Sequence, residues 1–180
     1  KRNGMDTSNV WQAKNSLQWP ARMQFIPAAK TGGHEFLLDG AHNPSGMERV
    51  MPEVANVIEN YKIQAWSLIF ATSPQKEMDK FIAPLLDYCQ INPPREIIVT
   101  APQGGRYPGI EPKQLMNYFM SIDCDISAVE YPESALSIIE EKSTFDVGLI
   151  VSLGSIYLQG NLLGLLYLDS DEDLSLLAKI

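Results

Sequence analysis

Short, almost unbroken apolar runs recur along this chain, each leading into a segment whose apolar residues fall every three or four positions. Ala65 to Ala71 is one run, Glu96 to Thr100 a second and Val147 to Ser152 a third. The intervening segments carry Met78, Phe81, Ile82, Leu85, Leu86 and Cys89, or Leu115, Tyr118, Phe119 and Ile122, at helical spacing. A strand that is apolar on both faces must be covered on both. Strands alternating with amphipathic helices achieve that as a parallel sheet between two helical layers. The pattern predicts a doubly wound, Rossmann-like α/β fold, with a mostly parallel sheet of about six strands and helices on both faces.

Met23 to Ala28 and Phe36 to Asp39 read as two short strands of a hairpin, turned at Lys30-Thr31-Gly32-Gly33. Pro44 to Tyr61 follows as a helix with Met47, Val50, Met51, Val54, Val57, Ile58 and Tyr61 on its apolar face. Asn43 suits its N-cap and Pro44 its first turn, where a missing N–H costs nothing. Ile126 to Glu130 is a short strand before a helix over Pro132 to Lys142. Residues 1–18 are polar and without period, and read as a linker or the edge of a larger protein; residues 19–180 form the domain. The acidic tail Asp169 to Asp173 reads as solvated surface.

Composition closes off several function classes. At 180 residues, 45% hydrophobic and 20% charged, the chain can bury one sizeable core. A net charge of −8 without any Lys/Arg cluster argues against a nucleic-acid partner. Cys89 and Cys124 are too few and too far apart for a disulfide framework or a metal cluster. Cys89 falls on the apolar face of its helix, so a reduced, buried thiol and a cytoplasmic setting are expected. Lys1-Arg2-Asn3-Gly4 leads into a polar stretch, and no signal peptide is read there. Val147 to Leu168 carries no charged residue and contains the small-residue spacing Gly160 to Gly164, enough in length for a membrane span. Ser152, Ser155, Gln159 and Asn161 within it, and the acidic flanks Asp146 and Asp169, favour a buried strand and a core helix instead, with no membrane partner.

Chemistry-bearing residues gather where strands end. Asp39-Gly40-Ala41-His42-Asn43-Pro44 joins a strand to a helix, the place where open α/β sheets bind ligands. Capping accounts for Asn43 and Pro44 but leaves His42 unexplained. Trp19-Pro20-Ala21-Arg22 precedes the first strand; its Arg is either a phosphate contact or a surface residue after a packed Trp. Leu153-Gly154-Ser155-Ile156-Tyr157 follows the last strand, where Ser155 either caps a helix or, with its backbone N–H groups, receives an anion. Gln103-Gly104-Gly105-Arg106-Tyr107-Pro108-Gly109 has neither the spacing nor the Lys-Ser/Thr of a P-loop; Arg106 could reach a ligand but reads rather as an exposed loop residue. His34, beside a glycine turn, reads as exposed. There is no zinc spacing, no Cys–His pair and no Gly-x-Ser-x-Gly elbow.

Together, Trp19-Pro20-Ala21-Arg22, Leu37-Leu38-Asp39-Gly40-Ala41-His42-Asn43-Pro44 and Gly154-Ser155-Ile156-Tyr157-Leu158 resemble, in order and spacing, the C-terminal domain of folylpolyglutamate synthase/dihydrofolate synthase, within the Mur ligase superfamily. The resemblance covers about Leu17 to Leu166. It implies an ATP-dependent ligase that phosphorylates a folate carboxylate, lets the glutamate amine attack the acyl phosphate and releases phosphate. It implies that Arg22 reaches nucleotide phosphates, that Asp39 and His42 line the face closing on the reacting centre, and that Ser155 stands at that face. Asp39 would orient His42 or meet the ammonium; His42 would donate to a phosphate or carboxylate oxygen. ATP and Mg2+ would be bound mainly by an N-terminal ATP-binding domain, since no Gly-x-x-x-x-Gly-Lys-Ser/Thr occurs here, so the chain alone is expected to be inactive. Two departures stand out. Ala21 replaces the family's glycine before Arg22, and Thr72-Ser73-Pro74-Gln75-Lys76-Glu77 replaces an Asp-Lys-Asp-like turn, with only Lys76 aligning. The competing expectations are a Mur-type ligase acting on a peptidoglycan precursor or another amino-acid polymer, and a non-catalytic binding module.

Overall fold

The computed structural model describes residues 19–142 and 148–170. Strand β1 (Gln24–Ile26) leads through a single helical turn α1 (Ala28–Thr31) into β2 (Glu35–Leu38). Then follow α2 (Pro44–Asn60), β3 (Trp66–Phe70), α3 (Met78–Ile91), β4 (Glu96–Val99) and α4 (Pro112–Met116), which a 3-10 turn at Asn117–Phe119 extends. The chain closes with β5 (Asp125–Ala128), α5 (Pro132–Lys142), β6 (Leu149–Leu153) and α6 (Ile156–Leu165). The six strands lie in the order β1-β2-β6-β3-β4-β5. All neighbours pair in parallel except β1, which runs antiparallel to β2 at the edge.

Alternation of side chains across the sheet builds two apolar layers. Leu37, Leu68, Phe70, Val99, Val151 and Leu153 face one side and pack with Met47, Val54, Phe81, Leu85, Leu115 and Phe119 of α2, α3 and the α4 region. Phe36, Leu38, Ile69, Ile98 and Ile150 face the other and meet Leu136 and Ile139 of α5 and Leu158 and Leu162 of α6. Phe70, fully buried, sits 6.1 Å from the Phe81 ring and 5.5 Å, edge-on, from Phe119. Each such ring removes enough apolar surface from water to contribute roughly 1.5–3 kcal/mol. Periodicity outweighs local breakers: α2 and α3 continue through Pro52 and Pro84, because the positions around those prolines are committed to the core.

Three expectations need correction. The β1–β2 connection is not a tight hairpin turn but the helical turn Ala28–Thr31, closed by Gly32 at φ 79°. Ala28 and Ala29 are helix formers that the strand reading absorbed. The helix expected around Leu115 to Ile122 is α-helical only to Met116, although Ile122 remains buried. His34 is half-buried, lining a cavity of about 10 Å³ with Ser67 and Arg95 at the end of the sheet where β3 and β6 begin.

The uncharged stretch forms β6 and α6, and among the described residues no helix is long and apolar enough to cross a membrane; Val147 lies outside the described residues. Both cysteines are free thiols. Burial pushes Cys89 up to about 12 and Cys124 up to about 11, which leaves them poor nucleophiles. Residues 1–18 and most of the acidic tail, 171–173, lie outside the described residues.

Candidate active site

Strand β6 comes last in the chain yet sits between β2 and β3. The loops after β2 and β3 run to helices on one face, whereas the loop after β6 runs to α6 on the other. Their divergence opens a crevice at the carboxyl ends of these strands. It holds a cavity of about 430 Å³ lined by His42 and Asn43 after β2, Ser73 to Gln75 after β3, Arg106 and Tyr107 after β4, and Gly154 to Tyr157 after β6.

His42 is exposed and lines this cavity. Its Nδ1 lies 2.9 Å from the Gly40 carbonyl oxygen. A carbonyl only accepts, so Nδ1 carries the proton, and Nε2 is left as an acceptor when the ring is neutral and a donor when it is charged. Gln75 fixes the same turn from the β3 loop, its amide donating to the His42 carbonyl at 2.7 Å. Asn43 caps α2 by accepting from the Gly46 N–H at 2.8 Å, and Pro44 takes the first helical position, as the spacing suggested.

Asp39 is 2% exposed and lies outside the cavity wall. Its Oδ1 accepts from the Ala41 N–H at 2.7 Å and its Oδ2 from the Met23 N–H at 2.9 Å. No hydrogen bond joins it to His42. The carboxylate is therefore a latch between the His42 turn and the Arg22 turn. Burial pushes the Asp39 carboxyl above its ordinary 3.8, outweighing the two N–H groups and the charges of Arg22 and His42, which pull it down. With the higher pKa in the folded state, its titration adds stability below the unfolded value, and that contribution is lost as pH rises through the folded one.

The Arg22 turn is held under strain. Ala21 and Met23 have φ of 56° and 44°, on either side of Arg22. A left-handed L-residue costs roughly 1–2 kcal/mol, and Ala21 stands where a glycine would carry no such cost. Backbone bonds hold the turn in place: the Gly40 N–H donates to the Ala21 carbonyl at 2.8 Å, and the Arg22 N–H to that of Trp19 at 3.2 Å. Arg22 is exposed and is not among the residues lining the His42 cavity. Asp39→Ala would orphan the Met23 and Ala41 N–H groups. It should destabilise the domain by about 2–6 kcal/mol, at roughly 1–3 kcal/mol for each orphaned donor, measurable by urea denaturation. A loss below about 0.5 kcal/mol would show that the latch carries no strain.

Ser155 sits in the cavity wall and caps α6, its Oγ accepting from the Tyr157 N–H at 3.2 Å and the Leu158 N–H at 3.5 Å. The hydroxyl proton remains free to donate. The structure thus brings His42 and Ser155 to one cavity, sets Asp39 behind it and leaves Arg22 outside its wall. Arg106, Tyr107 and Gln75 join it, whereas Lys76 does not. The signal for Arg106 was weak, because its glycine-rich loop is drawn over by partners far away in sequence.

The architecture defines a class before any individual relative does: a mostly parallel α/β domain with a ligand crevice where β6 inserts between β2 and β3. No family model matches the chain, and no curated protein sequence matches it. Solved structures do. Folylpolyglutamate synthase of Mycobacterium tuberculosis, complexed with ADP and AMPPCP, superposes with a TM-score of 0.67 at 17% identity, covering 91% of this chain and 36% of that one. Bifunctional folylpolyglutamate synthase/dihydrofolate synthase of Yersinia pestis, complexed with AMPPNP and Mn ion, gives 0.62 at 19%, covering 84% and 32%. A murein peptide ligase of Psychrobacter arcticus gives 0.55 at 14%, covering 89% and 31%. The chain has the fold of the C-terminal domain of folylpolyglutamate synthases and Mur-type ligases, and it spans about a third of the length of each of these proteins.

Proposed function

We propose that this chain is the glutamate-ligating C-terminal domain of an ATP-dependent folate–glutamate ligase, one half of a site that an ATP-binding domain completes. The observation that carries this reading is the charge of the crevice. His42 and Arg106 line it and no Asp or Glu is among its lining residues, the buried Asp39 lying behind the His42 turn, although the chain as a whole is at −8. Such a wall fits an anion, whether a carboxylate of glutamate or a phosphoryl oxygen, and stabilising charge on transferring phosphoryl groups is a major part of this chemistry. Arg22, on its own strained turn, is suited to reach nucleotide phosphates once the second domain closes. Ser155 offers one hydroxyl proton, and His42 Nε2 either takes a proton from the glutamate ammonium, freeing the amine to attack, or, when charged, donates to an oxygen.

Magnesium does not fit the residues present: among the described residues no group of three or more His, Cys, Asp or Glu side chains is placed to hold a metal ion. The metal in this reading belongs with the ATP-binding domain. Trp19-Pro20-Ala21-Arg22 and Asp39 to Pro44 favour the folate reading over a peptidoglycan one. The direct test is phosphate release by the natural-length protein with ATP and Mg2+. Release should require both glutamate and a pteroate or folate acceptor. Release with a UDP-muramyl peptide acceptor instead would replace the folate reading, and release with neither would overturn the ligase assignment.

A further inference from the structure

Arg106 and Tyr107 reach the cavity from the loop 101–109, which is rich in glycine and has few tethers. Near its far end the Ile110 N–H donates to the Thr72 carbonyl at 2.8 Å. Near its start the tether is a side chain from the middle of α6. Asn161 accepts from the Gln103 N–H through Oδ1 at 2.9 Å and donates from Nδ2 to the Gln103 carbonyl at 3.3 Å. A carboxamide that meets both backbone groups of one residue does what a neighbouring strand would do. Asp would lose the donor, and an aliphatic side chain would lose both contacts. Asparagine is also a poorer helix former than leucine, so nothing in α6 itself asks for it.

A second contact runs along the same stripe of α6. Tyr157, one turn before Asn161, covers Gly105: a side chain added there would begin 3.2 Å from the Tyr157 ring and 3.1 Å from the Tyr107 carbonyl oxygen. Arg106 then lies over the Tyr107 ring, 5.5 Å from its centroid. The path from Asn161 to the cavity is continuous: amide to Gln103, Gly105 beneath Tyr157, and Arg106 and Tyr107 in the wall.

We propose that Asn161, itself outside the His42 cavity, is a positioning residue for the reaction. It acts through the 101–109 loop to hold Arg106 against the anion that His42 faces. The kinetic half of this inference rests on the ligase reading, whereas the anchoring half does not. The test compares Asn161→Leu, Asn161→Asp, Arg106→Ala and the double variant Asn161→Leu/Arg106→Ala. In amide hydrogen exchange on this chain, Asn161→Leu should speed exchange of the Gln103 amide by tenfold or more and leave that of β3 and β6 unchanged. Equal exchange in the loop overturns the proposal, whatever the activity. In the natural-length protein, Asn161→Leu should raise KM for glutamate about tenfold with kcat changed less than threefold. Asn161→Asp, which keeps one of the two bonds, should fall between. The double variant should be no worse than Arg106→Ala alone, as residues acting through one contact are not additive. Additive losses would overturn the role through Arg106. An inactive wild type with fast-exchanging Asn161→Leu would support the anchor while removing the ligase reading.

Discussion

Gly154→Ala is expected to cost the domain about 3 kcal/mol or more and to lower its melting temperature by roughly 6–12 °C. Gly154 ends β6 at φ 102°, a backbone that L side chains rarely adopt. An added Cβ would lie 2.4 Å from the Ala71 carbonyl oxygen and 2.6 Å from the Phe70 ring. The first neighbour is backbone and the second is fully buried, so no rotamer change relieves the overlap. The strain of the left-handed region, roughly 1–2 kcal/mol, adds to an overpacking cost of about 1–3 kcal/mol. Gly160→Ala is the control. Its Cβ meets nothing within 4 Å in an exposed part of α6, and the change should stabilise by about 0.5–1 kcal/mol. Thermal unfolding of the two variants settles the matter. Similar melting temperatures would mean that Gly154 is not constrained.

Much of the fold was readable, because it rests on local chemistry. The apolar runs at Ala65 to Ala71 and Glu96 to Thr100 became fully buried strands, and Asn43 and Ser155 both became the caps their types suggest. What sequence left unread depends on pairs distant in the chain. That β6 inserts between β2 and β3 is a property of the assembled sheet, and with it the location of the crevice. Asp39 reads as a residue that orients His42 or meets the ammonium; that its carboxylate is held by the N–H groups of Ala41 and Met23 was not legible, because backbone partners leave no trace in residue type. Arg106 is exposed, as read, but what draws its loop toward the crevice is Asn161, 58 positions beyond Gln103. Ala21 is the opposite case. A glycine missing from a resembled motif marks a place where the backbone is restricted; the structure shows Ala21 left-handed there, and Met23 with it.

If the chain is the ligase domain proposed above, His42→Ala should reduce ligation by the protein that contains it about 10²–10⁴-fold, the range in which a positioned proton-transfer group contributes, while leaving stability almost unchanged. His42 is exposed, and the one bond its ring makes is to the Gly40 carbonyl. Removing an exposed ring typically shifts stability by no more than about 0.5 kcal/mol, so a loss of activity would not arise from unfolding. His42→Gln separates the two roles left to Nε2. A glutamine amide can donate to a phosphate or carboxylate oxygen but cannot accept and carry away a proton at neutral pH. Recovery of a tenth or more of the activity by His42→Gln therefore assigns His42 as a donor to an anion; activity as low as in His42→Ala assigns it as proton acceptor for the attacking amine. Asn43→Ala supplies the contrast from the same turn. It removes the cap of α2 and should cost about 1 kcal/mol of stability with a far smaller effect on turnover. If His42→Ala instead turns over within about threefold of the wild type, the Asp39 to Pro44 turn is a capping motif, and the anion site reduces to Arg106 and the Ser155 end of α6.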